Sequence, residues 1–181
     1  MADMESREIE LRVFEVDADK AREDLTRLGA QVLGTMYFKR AVLDVHPVDP
    51  NKWIRLRTEG AKTTLAVKQR ISQAADGTGE VEVVVDDFEK TLDILKLIGG
   101  YEPRSVQESR REAYDLNGVE ISIDSWPQIP DFMEIEAHDL AELEKAAGEL
   151  GVADRLSGKS VEAYYIENLG IDIKHTSVQF E

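Results

Sequence analysis

The chain of 181 residues has a net charge of −15, with 42% hydrophobic residues, 33% charged residues and no cysteine. This length suits one ordinary domain with a sizeable core, so we predict a single domain over residues 1–181. The negative charge argues against sequence-independent binding to duplex DNA or to an anionic membrane, because both require positive protein surface. The lack of cysteine excludes disulfides, thiolate zinc sites and a cysteine nucleophile.

The sequence predicts a cytoplasmic protein without a membrane partner. No apolar run approaches the ~20 residues that are needed to cross a bilayer. The start of the chain, MADMESREIE, has neither the basic region nor the hydrophobic region of a secretory signal. The composition is typical of a soluble globular protein.

The beginning of the chain is predicted to form a strand, a helix and two further strands. Arg7–Glu15 alternates polar and apolar side chains, as a half-buried strand does. Asp17 or Asp19 can cap a helix that runs to about Leu28, and Gly29 ends it. Two strands are predicted across Gln31–Val45.

The middle of the chain is predicted to be mainly strands. The two prolines of His46–Lys52 interrupt any ladder, so this stretch is predicted to be a loop. Ser72–Gly79 has the composition of a flexible segment. Strands are predicted on either side of a turn at Gly60, at Trp53–Thr58 and Thr63–Ile71, and again at Glu80–Val85.

The rest of the chain is predicted to add three helices and three strands. Phe88, Leu92, Leu95 and Ile98 share one face of a helix that Gly99-Gly100 ends. Two closing helices are predicted at Leu140–Leu150, which Gly151 ends, and at about Gly158–Asn168. The tail Ile171–Glu181 fits no single element. The predicted strands are Ser105–Leu116, Val119–Ser125 and Phe132–His138.

Charged side chains occupy alternate positions along most of these strands. Residues i and i+2 of a strand lie on one face, so Glu8, Glu10 and Arg12 share a face. One interpretation is a sheet with a solvated charged face, the default for antiparallel sheets. The other is a barrel whose apolar side chains lie outside, under the helices, while the charged side chains converge inside. The same alternation recurs at Arg55 and Arg57, Lys68 and Arg70, Glu80 and Glu82, Glu120 and Asp124, and Glu134 and Glu136.

The closely spaced carboxylates indicate a divalent cation, because a bound dication removes the repulsion within pairs such as Glu134 and Glu136. Mg²⁺ and Mn²⁺ take oxygen ligands, typically one or two carboxylates with phosphate oxygens and water. Arginine binds phosphate oxygens in a bidentate manner, and lysine adds a point charge. A face with several acids and several bases therefore favours a metal–triphosphate complex over a sugar or a peptide.

Motifs in a fixed order resemble the CYTH superfamily, also called triphosphate tunnel metalloenzymes, across nearly the whole chain. EIELR at residues 8–12 resembles its N-terminal ExExK signature, and ISIDSWPQIPDFMEIE resembles its Asp–Pro–Phe–x–Glu–x–Glu segment. MYFKR stands where the family has an aromatic-rich YFD stretch. The basic landmarks are IRLR, LAVKQR, RREAY and GKSVEAYY. The superfamily includes class IV adenylate cyclases, thiamine triphosphatases and inorganic tripolyphosphatases.

The resemblance implies an α+β fold, mainly an antiparallel barrel of about eight strands that forms a tunnel, with helices packed outside. It implies one or two ions of Mg²⁺ or Mn²⁺ held by Glu8, Glu10, Asp124, Glu134 and Glu136. It also implies that the triphosphate is bound by Arg12, Arg55, Arg57, Lys68, Arg70, Arg111 and Lys159, with Glu80 and Glu82 as further lining residues. The catalytic residues it implies are Glu8, Glu10, Arg12 and Glu136.

Two residues depart from the family pattern. Arg12 stands in place of the signature lysine, and arginine is effectively never deprotonated, so it can bind phosphate but cannot act as a base. Lys39 stands where the YFD stretch has its aspartate, which leaves the role of that position open. Neither change affects the carboxylate pairs.

Three functions remain open at this level. Hydrolysis of an inorganic or organic triphosphate is favoured, because it requires fewer specific features of the site than cyclisation does. A class IV adenylate cyclase would use the same metal and basic residues while the ribose 3′-hydroxyl attacks the α-phosphorus. A non-catalytic module that binds triphosphate or polyphosphate is the third. The predicted partner is a small-molecule triphosphate, with no nucleic acid and no membrane, and the sequence leaves the oligomeric state open.

Overall fold

The computed structural model describes residues 9–45, 48–70, 78–99 and 102–181. In these ranges eight strands form one sheet in the order β1-β8-β7-β6-β2-β3-β4-β5, accompanied by four α-helices, which confirms the predicted fold class. The strands are β1 Ile9–Val13, β2 Gln31–Asp44, β3 Lys52–Glu59, β4 Lys62–Arg70, β5 Thr78–Val85, β6 Pro103–Leu116, β7 Val119–Ser125 and β8 Phe132–Ala137. The helices are α1 Ala18–Leu28, α2 Phe88–Gly99, α3 Leu140–Glu149 and α4 Val161–Leu169.

Most predicted elements occur within a few residues of their predicted bounds, and the first helix begins and ends as predicted. The Asp17 side chain accepts a hydrogen bond from the backbone N–H of Lys20 at 3.0 Å, and Gly29 adopts the left-handed conformation that ends α1. Parts of several predicted segments lie outside the described residues: Arg7 and Glu8 of the first strand, His46 and Pro47 of the loop, Ile71 of the strand that begins at Thr63, residues 72–77 of the flexible segment, and Gly100. Lys52 already belongs to β3, and Thr78 and Gly79 belong to β5.

One prediction about the elements was wrong. The stretch Gln31–Val45 holds the single strand β2 and not two, because Gly34 takes a φ of 137°, which glycine tolerates, without ending the strand. Of the four residues predicted to share one face of α2, Phe88, Leu92 and Leu95 are buried, and Ile98 is 72% exposed. Ile98 lies in the last turn of the helix, one turn beyond the buried Leu95.

The chain divides into two compact units. Unit 1 comprises Met1–Met36 and Arg110–Tyr164. Its core lies between α1, α3 and the apolar face of β1, β8 and β7, where Leu25, Ile121, Ile135 and Leu143 are completely buried. Burial of such side chains is the main favourable term in folding, about 1.5–3 kcal/mol for each.

Unit 2 comprises Tyr37–Ser109 and Tyr165–Glu181. The helix α2 packs its buried side chains against Leu43 of β2 and Leu56 of β3. The tail, whose structure the sequence left open, runs beside β6: the N–H of Val178 donates to the carbonyl of Val106 and the N–H of Glu108 donates to the carbonyl of Val178, both at 2.9 Å. The prediction of a single domain over residues 1–181 stays a prediction.

In each unit, helices cover the apolar face of the strands and the charged residues occupy the other face. In unit 1 that charged face is not a simple solvated surface, because Asp124 is only 2% exposed and Glu134 only 6%. Buried carboxylates require partners, since burial of an unpaired charge is costly. No helix in the described ranges is both long and apolar enough to span a bilayer.

We expect Leu56→Ala to lower the free energy of unfolding by about 2–5 kcal/mol, because the truncation leaves a cavity in the core of unit 2. Urea denaturation followed by circular dichroism measures this change. Leu97→Ala is the matched control, because Leu97 of α2 is 85% exposed and its truncation should change stability by less than about 0.5 kcal/mol. Equal losses in the two variants would contradict the assignment of the core.

Candidate functional site

The pairing of β1, β8, β7 and β6 brings six of the predicted site residues of unit 1 onto one face. Glu10 lies opposite Glu136, and Arg12 lies opposite Glu134. On the other side of β8, Glu136 lies opposite Glu120 and Glu134 opposite Ser122. Directly opposed residues of antiparallel strands have their side chains on the same face and close together. We call this surface the acidic face, defined by Glu10, Arg12, Arg111, Asp124, Glu134 and Glu136.

Three carboxylates of the acidic face form a group that fits a divalent cation. Glu10, Glu134 and Glu136 each offer an oxygen, and these atoms lie within 4.8 Å of one another. Hard oxygen donors from carboxylates are the ligands that Mg²⁺ and Mn²⁺ prefer. Of the other predicted metal ligands, Glu8 lies outside the described residues, and the carboxylate of Asp124 is bound to Arg111.

Arg12 lies between two of these three carboxylates. Its guanidinium contacts Glu10 and forms an ion pair with Glu134 at 2.9 Å. Its Nη1 donates to the carbonyl of Lys159 at 3.3 Å, and its backbone exchanges two hydrogen bonds of 2.8 Å with Ser157. Arg12 therefore offsets the repulsion between Glu10 and Glu134. It also attaches the segment from Ser157 to Lys159 to β1.

Arg111 binds the two buried carboxylates of the face. It donates to both oxygens of Asp124, at 2.8 and 2.7 Å, and to Glu134 at 2.7 Å, while Ser122 donates to Asp124 at 3.1 Å. Burial raises the pKa of Asp124, and the hydrogen bonds from Arg111 oppose this shift. Burial would lower the pKa of Arg111, but its hydrogen bonds and its attraction to Asp124 and Glu134 outweigh burial, so that pKa is raised.

In unit 2, the predicted phosphate-binding residues lie on the strand face opposite α2. Arg55 and Arg57 of β3 alternate with the buried Ile54 and Leu56, and Lys68 lies opposite Trp53 of the same strand pair. Arg70, two positions beyond Lys68, is exposed at the end of β4. We call this surface the basic face, defined by Arg40, Arg55, Arg57 and Lys68.

Acidic side chains accompany most of the cations of the basic face. Arg55 contacts Glu82 at 2.9 Å and Glu80 at 3.7 Å, and Lys68 contacts Glu80 at 2.8 Å. The hydrogen bond from Lys68 lowers the pKa of Glu80. The lining role predicted for Glu80 and Glu82 therefore corresponds in the structure to ion pairs with these cations.

Arg40 and Lys39 take unexpected positions on the two faces of β2. Arg40, which the sequence analysis did not select, lies directly opposite Arg57 on the basic face. Its alternation with the buried Ala41 and Leu43 was the available signal. Lys39 lies on the other face, where its ammonium contacts Glu89 of α2 at 2.6 Å and stands 5.2 Å from the centre of the Phe88 ring. Lys39 thus attaches β2 to α2.

Comparison with known proteins places this chain in a family. The family model of the CYTH domain matches residues 6–163. Among solved structures, PH1012 of Pyrococcus horikoshii has a TM-score of 0.58 and 23% sequence identity, and the match covers 85% of this chain and 96% of that one. No curated protein matches the sequence.

Two further structures have a similar fold. A candidate adenylate cyclase from Vibrio parahaemolyticus has a TM-score of 0.60 and 15% identity, with 85% of this chain and 94% of that chain covered. HpAC1 from Hippeastrum, a candidate adenylyl cyclase that reveals a dominant triphosphatase activity, has a TM-score of 0.56 and 17% identity, with 93% and 100% covered. At these identities the likeness establishes the fold alone.

We expect Arg111→Met to lower the free energy of unfolding by about 3–5 kcal/mol, because Asp124 and Glu134 then lose the guanidinium that neutralises them in a buried position. Urea denaturation at neutral pH measures the loss. Arg27→Met on α1 is the control, since that side chain is 61% exposed and its ion pair with Asp24 is worth about 0–1 kcal/mol. A variant at Arg111 as stable as the wild type would show that these carboxylates do not depend on it.

Proposed function

Because this chain belongs to the CYTH family, we propose that it is a divalent-metal-dependent phosphohydrolase that acts on inorganic or organic triphosphates. The observation that carries the proposal is the group of three carboxylate oxygens from Glu10, Glu134 and Glu136. A cluster of hard oxygens on a strand face fits a metal that binds phosphate oxygens at the same time. A sugar hydrolase would need two carboxyls but would leave the arginines and lysines without a role.

In this proposal Glu10, Glu134 and Glu136 hold Mg²⁺ or Mn²⁺, with Glu8 and Asp124 as further ligands. The bound metal supplies neutralisation of phosphate oxygens and polarisation of the attacking water. Glu134 is fixed in place by Arg12 and Arg111, so its carboxylate is already oriented for binding. Orientation of ligands in advance lowers the reorganisation that catalysis requires.

The cations bind the phosphate oxygens and stabilise the charge that develops on the transferring group. Positioning and electrostatic stabilisation carry most of the catalysis of phosphoryl transfer. Arg12 acts in this proposal through its fixed positive charge and not as a base. Phosphate oxygens can take the place of the carboxylate partners of Arg55 and Lys68, because they offer the same kind of acceptor. The remaining phosphate-binding residues are Arg57, Arg70, Arg111 and Lys159.

The dominant triphosphatase activity of HpAC1 supports hydrolysis over cyclisation for this chain. Class IV adenylate cyclase is the second candidate, because the structure from Vibrio parahaemolyticus belongs to a candidate adenylate cyclase. Both reactions use the same metal and basic residues, so the products must distinguish them.

We expect the purified protein to release phosphate from tripolyphosphate or a nucleoside triphosphate with Mg²⁺ or Mn²⁺, and to lose this activity in EDTA. Glu10→Gln and Glu136→Gln should each lower kcat by about a hundredfold or more while the circular dichroism spectrum is unchanged, since each removes a charged oxygen ligand. A colorimetric phosphate assay measures the rates. Glu144→Gln, at an exposed position of α3, is the control and should keep full activity.

The other functions predict different results in the same assay. Cyclic AMP and pyrophosphate formed from ATP would identify a cyclase. Tight binding of tripolyphosphate without turnover under either metal would identify a binding module. Unchanged rates in both glutamine variants would refute the proposed metal ligands.

We expect Lys68→Ala to raise the KM for tripolyphosphate by about ten- to hundredfold, because one charge-assisted contact to a phosphate oxygen is worth about 1.5–3 kcal/mol. Steady-state kinetics at saturating Mg²⁺ separate this effect from a change in kcat. Lys90→Ala is the control, since Lys90 lies on α2 with its side chain 82% exposed. Equal KM values for Lys68→Ala and the wild type would remove Lys68 from the site.

A further inference from the structure

We propose that Arg40 of β2 is a further phosphate-binding residue, and that Gln107 of β6 and the C-terminal segment hold its guanidinium in position. This inference rests on the proposed function, because the ligand is the same triphosphate. The C-terminal segment involved lies beyond residue 163, where the match to the family ends. Arg40 itself belongs to the MYFKR stretch, at a position to which the resemblance assigns no role.

Three guanidinium groups lie together on the basic face, and only two of them have carboxylate partners. Arg40 is paired in register with Arg57, and the neighbouring Val42 is paired with Arg55. Arg57 contacts Glu59 at 2.6 Å and Arg55 contacts Glu82 at 2.9 Å. Arg40 forms no ion pair with any residue in the described part of the chain. Like charges placed directly opposite each other on a sheet are destabilising unless a counter-charge is bound.

The environment of Arg40 indicates an anion as that counter-charge. The Nε atoms of Arg40, Arg55 and Arg57 are all buried, and none has a hydrogen-bond partner among the described residues. Burial lowers the pKa of Arg40, and the nearby Arg57 and Arg55 lower it further, while Glu59 opposes them. A buried donor without an acceptor and a buried charge without a partner each cost free energy. Phosphate oxygens would supply both the acceptors and the negative charge, in the bidentate geometry that guanidinium favours.

Gln107 orients Arg40 without neutralising it. Its Oε1 lies 3.5 Å from Nη1 of Arg40, and its Nε2 donates to the carbonyl of Ile173 at 2.7 Å and lies 3.4 Å from Oγ of Ser105. Because a carbonyl can only accept, Nε2 must face Ile173, and the amide oxygen is left to face Arg40. A carboxylate at this position would pair with Arg40 and compete with phosphate. The neutral amide leaves the positive charge available.

The C-terminal segment holds Gln107 in turn. Ile173 is buried, and the chain that follows it is bound to β6 by the hydrogen bonds of Val178 and by Ser177, whose Oγ accepts from the N–H of Val106 at 2.9 Å. The contacts therefore run from the tail to Gln107 and from Gln107 to Arg40. Gln107 is a positioning residue in this arrangement, and Arg40 is the residue that binds phosphate.

The test measures binding of tripolyphosphate by isothermal titration calorimetry in EDTA, where no metal-dependent turnover occurs. We expect Arg40→Ala to weaken binding by about ten- to hundredfold and Arg40→Lys to have a smaller effect, because lysine keeps the charge and loses the bidentate geometry. Lys39→Ala is the matched control, because it removes the same charge from the adjacent residue on the opposite face of β2. The affinity of Lys39→Ala for tripolyphosphate should stay within about twofold of the wild type.

Melting temperatures show whether each variant is folded. If Arg40→Ala does not fold, the comparison of Arg40→Lys with the wild type provides the test.

The positioning role of Gln107 is tested by a double-mutant cycle. Gln107→Leu should weaken binding by about three- to tenfold in the wild-type background and should have no further effect in the Arg40→Lys background, because Gln107 acts through the guanidinium. If Gln107 had only a structural role, Gln107→Leu would weaken binding of tripolyphosphate equally in both backgrounds. That result would overturn the positioning role of Gln107.

The outcomes separate this inference from the proposed function. Wild-type affinity in the Arg40 variants overturns the inference and leaves the hydrolase proposal standing. Binding that depends on Arg40 without turnover in Mg²⁺ or Mn²⁺ supports the inference and overturns the hydrolase proposal. A wild-type protein that does not bind tripolyphosphate overturns the inference, whatever its activity.

Discussion

Glu134 is bound by two arginines, Arg12 at 2.9 Å and Arg111 at 2.7 Å, and the acidic face of unit 1 depends on these contacts. Glu134 and Asp124 are buried, and an isolated carboxylate in such a position would be costly enough to be protonated or to disrupt the strands. The arginines come from β1 and β6, on either side of the strands that carry the acids. The face therefore stays charged because its countercharges are built into the neighbouring strands.

Unit 2 has the reverse arrangement, in which cations predominate and acids from β3 and β5 accompany them. Arg55, Arg57 and Lys68 each have a carboxylate within 3 Å, and Arg40 has an amide instead. This difference separates residues whose charge is already compensated from one whose charge is not. A ligand gains most at the uncompensated group, because elsewhere it must displace an existing partner before it binds.

The sequence predicts well which face of a strand a side chain occupies, and it predicts poorly which residue lies opposite it on the neighbouring strand. Alternation of charged and apolar residues was enough to place Glu10, Arg55 and Glu134 away from the helices, because the side-chain period of a strand is two. It could not predict that Glu10 pairs with Glu136, or that Arg40 lies opposite Arg57, because register depends on long-range pairing between strands. The resemblance directed attention to Lys39 as a motif position, whereas the neighbouring Arg40 is the residue that lies on the basic face. No local signal distinguished one long strand from two across Gln31–Val45, because glycine can bend a strand or continue it.

The position of Arg12 between Glu10 and Glu134 has a consequence for biosynthesis. In many small metalloproteins the free energy of metal binding drives folding, so the chain stays unfolded until the ion binds. In this protein the guanidinium of Arg12 compensates the charges of Glu10 and Glu134 as soon as the strands pair. The newly made chain can therefore form this face of unit 1 before any divalent ion binds to it.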